Sequence, residues 1–155
     1  MDNLQEVYVR YSAEEKKVAE LYHLIALRLG LSDSAFWVLY CLCHPEPLRT
    51  QNDIARQVGL PKQTVHSAVS RLLEMGYVRL EQMAVAGNNK QILLTEQGRA
   101  FCRQHIAPVQ AAEEQAFNRL PEAEQETYLA LSFKHSRFIR EELRTLLNQI
   151  PEGEL

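Results

Sequence analysis

The chain has 155 residues, the size of one domain, with 46% apolar and 24% charged side chains, ordinary values for a folded soluble protein. That length leaves no room for a catalytic domain beside a separate receptor domain, and no apolar run reaches the roughly 18 residues that cross a bilayer. The start, Met1-Asp2-Asn3-Leu4, lacks the basic-then-apolar pattern of a signal peptide, so a cytoplasmic protein with no membrane partner is expected.

Val18, Leu21, Tyr22, Ile25 and Leu29 recur at three- and four-residue steps and predict a helix from about Ser12 to Leu29. Gly30 follows where a left-handed residue closes a helix. Ser32 then caps a second helix carrying Phe36, Leu39, Tyr40 and Cys43, which ends before Pro45. Pro45-Glu46-Pro47 reads as a rigid connector. Thr50-Gln51-Asn52-Asp53 resembles a capping box and opens a short helix, Gln51 to Gln57, with Ile54, Ala55 and Val58 on its inner side. Gly59 ends it.

Leu60-Pro61 starts a fourth helix with proline at the first turn, where its missing N–H costs nothing; Gly76 stops it after Met75. Tyr77 to Gln82 and Lys90 to Leu94 are short and β-prone, with Gly87-Asn88-Asn89 between them, which reads as a hairpin. Thr95 caps the next helix, whose Gly98 suggests close packing against a neighbour. That helix continues through Phe101 and Ile106, with a bend expected at Pro108, and resumes to Leu120. Pro121 begins a last helix bearing Tyr128, Leu131, Phe133, Phe138, Leu143, Leu146 and Leu147. The fold class is mainly α with a small β-hairpin.

The segment from Thr50 to Thr95 carries the function. A short helix, a glycine turn and a second helix form a helix-turn-helix, and the following hairpin is a wing. In such units the second helix enters the major groove with its N-terminal residues against base edges. Here Val65, Ala68, Val69, Leu72 and Leu73 would pack inward. Lys62, Gln63, Thr64, His66, Ser67, Ser70 and Arg71 fall elsewhere, and no acid occurs before Glu74. Amide and hydroxyl groups can bond base edges, and Lys and Arg can bond guanine or phosphate. A helix built only for solubility more often alternates Glu with Lys. Pro61 and Lys62 also direct free N–H groups and a cation toward a phosphate.

Net charge agrees in its distribution but not in its sum. The total is −3, yet residues 49–103 hold eight Lys or Arg against four acids, a middle of +4 between ends that carry −7. Such a middle suits a face directed at a polyanion.

Asp53-Ile54-Ala55, Leu60-Pro61-Lys62-Gln63-Thr64-Val65, Arg71-Leu72, Gly76-Tyr77-Val78 and Leu94-Thr95-x-x-Gly98, with Leu31-Ser32-x-x-x-Phe36-x-Val38-Leu39 before them, together resemble the MarR family of bacterial regulators. The resemblance implies a single domain over 1–155, in which about 32–98 form the winged DNA-reading lobe and about 1–30 and 99–150 the dimerisation helices. It further implies a triangular homodimer on a pseudo-palindromic double-stranded operator, acting as a repressor, with half-sites about 10–10.5 bp apart. The implied DNA-binding set is Thr50, Gln51, Pro61, Lys62, Gln63, Thr64, His66, Ser67, Ser70, Arg71, Asn88, Asn89 and Lys90, with Thr50, Lys62 and Lys90 positioning the backbone. One departure stands out. Where many members carry an Asp and an Arg in the wing, this chain has Ala86 and Asn88, so the minor-groove arginine is missing and the wing's share of affinity is expected to fall.

Members of the family release DNA when a small aromatic or phenolic effector enters a cleft beside the dimer helices, and His23, Trp37, Tyr40 and Cys41 are the residues here that could line one; aromatic residues at helical spacing are equally explained as core. Cys41, Cys43 and Cys102 are odd in number and read as reduced thiols. Cys41 and His44 share a helix face while Cys43 points away, and one Cys–His pair does not make a tetrahedral zinc site, so no metal and no cofactor is expected. The paired acids Glu14-Glu15, Glu113-Glu114 and Glu141-Glu142 read as solvated charge. No phosphate loop, nucleophile elbow or His-Glu-x-x-His spacing is present, so an enzyme is not expected. The alternative function is a winged-helix module that serves protein partners without specific DNA binding.

Overall fold

Glycine and hydroxyl caps cut the chain into its elements. In the computed structural model, which describes residues 3–44, 50–83 and 90–151, the order is α1 (Leu4–Arg28), α2 (Asp33–Leu42), α3 (Gln51–Val58), α4 (Lys62–Glu74), β1 (Val78–Gln82), β2 (Lys90–Leu94), α5 (Glu96–Phe101), a π-helical turn (Cys102–Ile106), α6 (Ala107–Phe117) and α7 (Glu122–Gln149). The chain divides into two units, Met1–Val109 and Gln110–Leu155. The expected connector Pro45-Glu46-Pro47 and hairpin tip Gly87-Asn88-Asn89 lie outside the described residues.

In the first unit α1 begins at Leu4, eight residues before the expected Ser12. The Asn3 side chain accepts from the Gln5 N–H, and Leu4, Val7, Tyr8 and Tyr11 carry the three- and four-residue spacing back to the cap. At the other end Leu31 N–H donates to Ala26 O at 3.0 Å and Gly30 N–H to Leu27 O at 3.1 Å, the paired bonds that a left-handed residue makes possible. Ser32 caps α2 through the Ala35 N–H. Pro61 is the N-cap of α4 rather than its first helical residue, because its ψ of 143° is extended.

The core draws on every element from the end of α1 to the π-helical turn. Phe36, Val38 and Leu39 of α2 are buried together with Ile54 of α3, Val65, Val69 and Leu72 of α4, Val78 and Ile92 of the hairpin, and Ile106. Leu73 departs from the expected inward set: it is 36% exposed, since the inner face of α4 is already filled by Val65, Ala68, Val69 and Leu72. The strands pair antiparallel, Val78 with Leu94 and Leu80 with Ile92. These alternate residues put one face of the ribbon on the core and turn Arg79 and Glu81 away.

One point of close approach fixes the base of the hairpin. Thr95 N–H donates to Tyr77 O at 3.0 Å, and the Thr95 hydroxyl donates to Gly76 O at 2.6 Å while accepting from the Gly98 N–H at 3.0 Å. A Cβ at Gly98 would stand 1.9 Å from Tyr77 O, which bears out the expected close packing. Beyond α5 the helix does not bend at Pro108 but widens just before it, with Ala107 N–H donating to Cys102 O across five residues. Pro108 lacks an N–H and its ring crowds the carbonyl four residues back, so the helix accommodates it with a π-helical turn.

In the second unit α7 runs for 28 residues from its N-cap Pro121, and none of them is buried. Gln125 Nε2 donates to Leu120 O at 2.8 Å, and the rings of Phe117 and Tyr128 lie 6.1 Å apart.

Two glycine substitutions separate contact from conformation. Gly98→Ala should lower unfolding free energy by about 1–3 kcal/mol through overpacking against a backbone oxygen. Gly59 has a φ of 66° and open space around its absent Cβ, so Gly59→Ala should cost about 1–2 kcal/mol from backbone strain alone. Urea midpoints read both; an unmoved midpoint for Gly98→Ala would remove the Tyr77 contact.

Candidate nucleic-acid interface

Two capped helices present the polar residues of the helix-turn-helix. α3 is opened by a complete capping box: Asp53 N–H donates to Thr50 Oγ1 at 3.2 Å, and the Thr50 N–H and hydroxyl donate to Asp53 Oδ2 at 3.2 and 2.8 Å. Arg56 donates to the other carboxylate oxygen at 2.6 Å. The Thr50 hydroxyl, its N–H and the Arg56 guanidinium together hold the Asp53 carboxyl below the usual 3.8. Both polar groups of Thr50 are therefore engaged by the cap.

On α4 the outer side chains form one surface. Lys62, Gln63, His66, Ser67 and Arg71 are exposed, Thr64 and Ser70 half-buried, and Val65, Ala68, Val69 and Leu72 buried beneath them. His66 Nδ1 lies 3.1 Å from Gln51 Oε1, so the polar faces of α3 and α4 meet at that pair. With an oxygen as partner the ring carries its N–H at Nδ1, and Nε2 is left as an acceptor. Ser67 donates its hydroxyl to Gln63 O at 3.1 Å and keeps acceptor capacity. Arg71 is paired to Glu74 at 3.0 Å with both side chains about two-thirds exposed. Such a surface pair is worth about 0–1 kcal/mol, so the guanidinium is readily exchanged to another anion.

Pro61 and Lys62 lie on a shallow cleft of about 450 Å³ shared with Asn52, Ala55, Arg56 and Leu60. Arg56 and Lys62 thus put two cations around the start of α4, where the orphan N–H groups of the helix already favour an anion. Arg56 was absent from the sequence-based set because its charge lies on α3, one helix before the segment that the polar pattern singled out. Lys90 is exposed at the start of β2; Asn88 and Asn89 lie outside the described residues.

The four residues considered for an effector are arranged differently. Trp37 and Tyr40 are half-buried, their rings 5.2 Å apart, and Trp37 lies 5.0 Å from Tyr22. His23 is exposed and its Nδ1 stands 2.8 Å from Asp33 Oδ1. Cys41, 2% exposed, is in the core.

A short α3, a glycine turn, a polar α4 and an antiparallel two-stranded hairpin define a winged helix-turn-helix protein. The MarR family model matches residues 29–84, from the end of α1 through β1, and the chain belongs to that family. Solved structures share the fold. A MarR family regulator from Neisseria meningitidis is 22% identical with a TM-score of 0.69, over 94% of this chain and 98% of that one. A MarR family transcriptional regulator from Listeria monocytogenes, solved with a 26mer DNA, is 18% identical with a TM-score of 0.69 over 99% of each chain. Staphylococcus aureus MarR, in complex with salicylate and kanamycin, is 16% identical with a TM-score of 0.64, over 88% of this chain and 93% of that one. No curated protein matches the sequence. Among the described residues no single helix is long and apolar enough to cross a membrane.

The capping box makes a stability prediction with a pH signature. Thr50→Ala should cost about 1 kcal/mol. Because the Asp53 carboxyl is depressed in the fold, its contribution is complete above 3.8 and disappears as pH falls through the lower folded value. Asp53→Asn should therefore unfold at lower urea than the wild type at pH 7, and the two curves should converge in strong acid. A gap that persists unchanged there would show that the carboxylate charge is not what the cap uses.

Proposed function

We propose that the protein is a sequence-specific double-stranded DNA-binding transcriptional regulator, a ligand-responsive repressor that binds a pseudo-palindromic operator as a homodimer. The observation that carries this reading is the outer surface of α4, which is free of acids from Lys62 through Leu73 and is held by the buried Val65–Val69–Leu72 face and the capped α3. On this reading Gln63, Thr64, His66, Ser67, Ser70 and Arg71 meet base edges in the major groove. Lys62 with Pro61, Thr50 with Gln51, and Lys90 with Asn88 and Asn89 hold the sugar-phosphate backbone. Arg56 joins the phosphate set through the cleft that it shares with Lys62.

The partner copy is proposed from the two long helices. Val7, Val9, Leu21, Leu24 and Leu27 of α1 and Tyr128, Leu131, Phe133, Leu143 and Leu147 of α7 are exposed, more apolar surface than a monomer keeps in water. About 1–30 and 99–150 would then be the dimerisation helices around a 32–98 reading lobe. The small aromatic or phenolic effector is assigned to the neighbourhood of His23, Trp37, Tyr40 and Cys41, where the aromatic rings already gather. The second reading, a winged helix for a protein partner, is favoured by a single feature, the missing wing arginine at Asn88.

Titration against the DNA beside the protein's own gene at two salt concentrations, with scrambled DNA as control, separates the two. Selective binding that weakens with salt supports the regulator, since each phosphate contact releases a counterion. Equal, weak binding to both DNAs supports the protein-partner reading. Gln63→Ala or Arg71→Ala should each cost about 1–3 kcal/mol of operator affinity if the side chain reads a base; a folded variant with unchanged affinity drops that residue from the reading set. Sedimentation of the free protein should give the mass of two chains.

A further inference from the structure

Outside the reading surface, two of the three cysteines meet. Cys43 is the C-cap of α2 and Cys102 opens the π-helical turn. These segments are packed against each other, and the two thiols are within hydrogen-bonding contact. Both line a cleft of about 300 Å³ with Leu42, Leu94, Arg99 and Arg103, at the small end of the roughly 300–1,000 Å³ range of small-molecule sites. Cys41, only two residues from Cys43, is buried in the core and takes no part in this cleft. Arg99 spends one guanidinium nitrogen on Leu94 O at 2.9 Å. Arg103 is exposed and makes no ion pair with a described residue. The cleft thus combines a dithiol, two guanidinium groups and a short apolar wall.

We propose that Cys43 and Cys102 form an oxidisable dithiol whose substrate is a small disulfide bearing carboxylates, held by Arg99 and Arg103 and reduced as the two cysteines close an intrachain bond. The chemistry balances without a metal or an external electron carrier. The Cys102 thiolate attacks one sulfur of the bound disulfide; that S–S bond breaks, and the first thiolate leaves and takes up the proton that Cys102 lost. Cys43 then gives up its proton as its sulfur attacks the mixed disulfide at Cys102 Sγ, and the second small thiol departs with that proton. The dithiol is oxidised by two electrons and the small disulfide is reduced to two thiols.

The order of attack follows from the contact. The Cys43 S–H donates to the Cys102 sulfur, which lowers the Cys102 pKa, while that bond, burial and the neighbouring Cys102 and Cys41 sulfurs all push Cys43 up. Cys102 is therefore the thiolate, the form that attacks disulfides, and Cys43 resolves. The guanidinium groups select the substrate by charge. A carboxylate can take a bidentate pair from an arginine, whereas a cationic disulfide meets repulsion.

Reduced protein exposed to oxidised glutathione, digested without reductant and read by mass spectrometry, should yield a Cys43–Cys102 peptide pair with Cys41 free, and Cys41→Ser should behave like the wild type. Cys43→Ser should instead accumulate one glutathione on Cys102, since the resolving thiol is gone. Cystamine, a cationic disulfide, should react more slowly than oxidised glutathione, and Arg103→Ala, which leaves all three thiols in place, should shrink that preference. Three free thiols after excess oxidised glutathione, or a bond that includes Cys41, would overturn the dithiol. Equal rates for the two disulfides in the wild type would overturn its substrate class.

Discussion

The carbonyl of Tyr77 is the point on which the reading lobe is hung. It accepts the Thr95 N–H and presses against the bare Cα of Gly98, so the end of α4, the base of the wing and the start of α5 share one joint. Gly76, left-handed at φ 75°, turns the chain out of α4 with Gly76 N–H donating to Leu73 O and Tyr77 N–H to Leu72 O, both at 3.0 Å. The strand leaves from the next residue. Any side chain at residue 98 would push these pieces apart, and the orientation of α4 relative to the hairpin would change with them.

From that joint the core works outward. α4 can devote its solvent face to amides, hydroxyls and cations because its other face is filled by Val65, Ala68, Val69 and Leu72 against α2 and α3. The polar surface is therefore rigidly held without needing acids for solubility or salt bridges for helix stability. Its internal contacts, His66 with Gln51 and Arg71 with Glu74, are exposed and weak. They orient the side chains without committing them, which suits groups that exchange to another partner at low cost.

Much of this was legible in the residues. Thr50 with Asp53, Ser32, Thr95 and the glycines at 30, 59 and 76 mark element ends through local chemistry, because capping bonds reach only two to four residues along the chain. The inward set of α4 followed from helical period, except at Leu73, which lies at the margin of the apolar stripe, where burial depends on what stands opposite. The early start of α1 was also written in the chain, in Asn3 and the spacing of Leu4, Val7, Tyr8 and Tyr11.

The sequence by itself determined the order of elements, the winged helix-turn-helix class and the polar face of α4, because each rests on interactions within a turn or two of helix or across one hairpin. Only the tertiary structure decided which distant groups meet. It brought Arg56 beside Lys62 on one cleft, set His66 against Gln51, and replaced the expected bend at Pro108 with a π-helical turn. The same turn carries Cys102 to Cys43, although 58 intervening residues separate them. No spacing rule reaches that far. Contacts across such a distance are fixed by how α2 packs on the helix that follows the wing, a property of the assembled core rather than of any local run of residues.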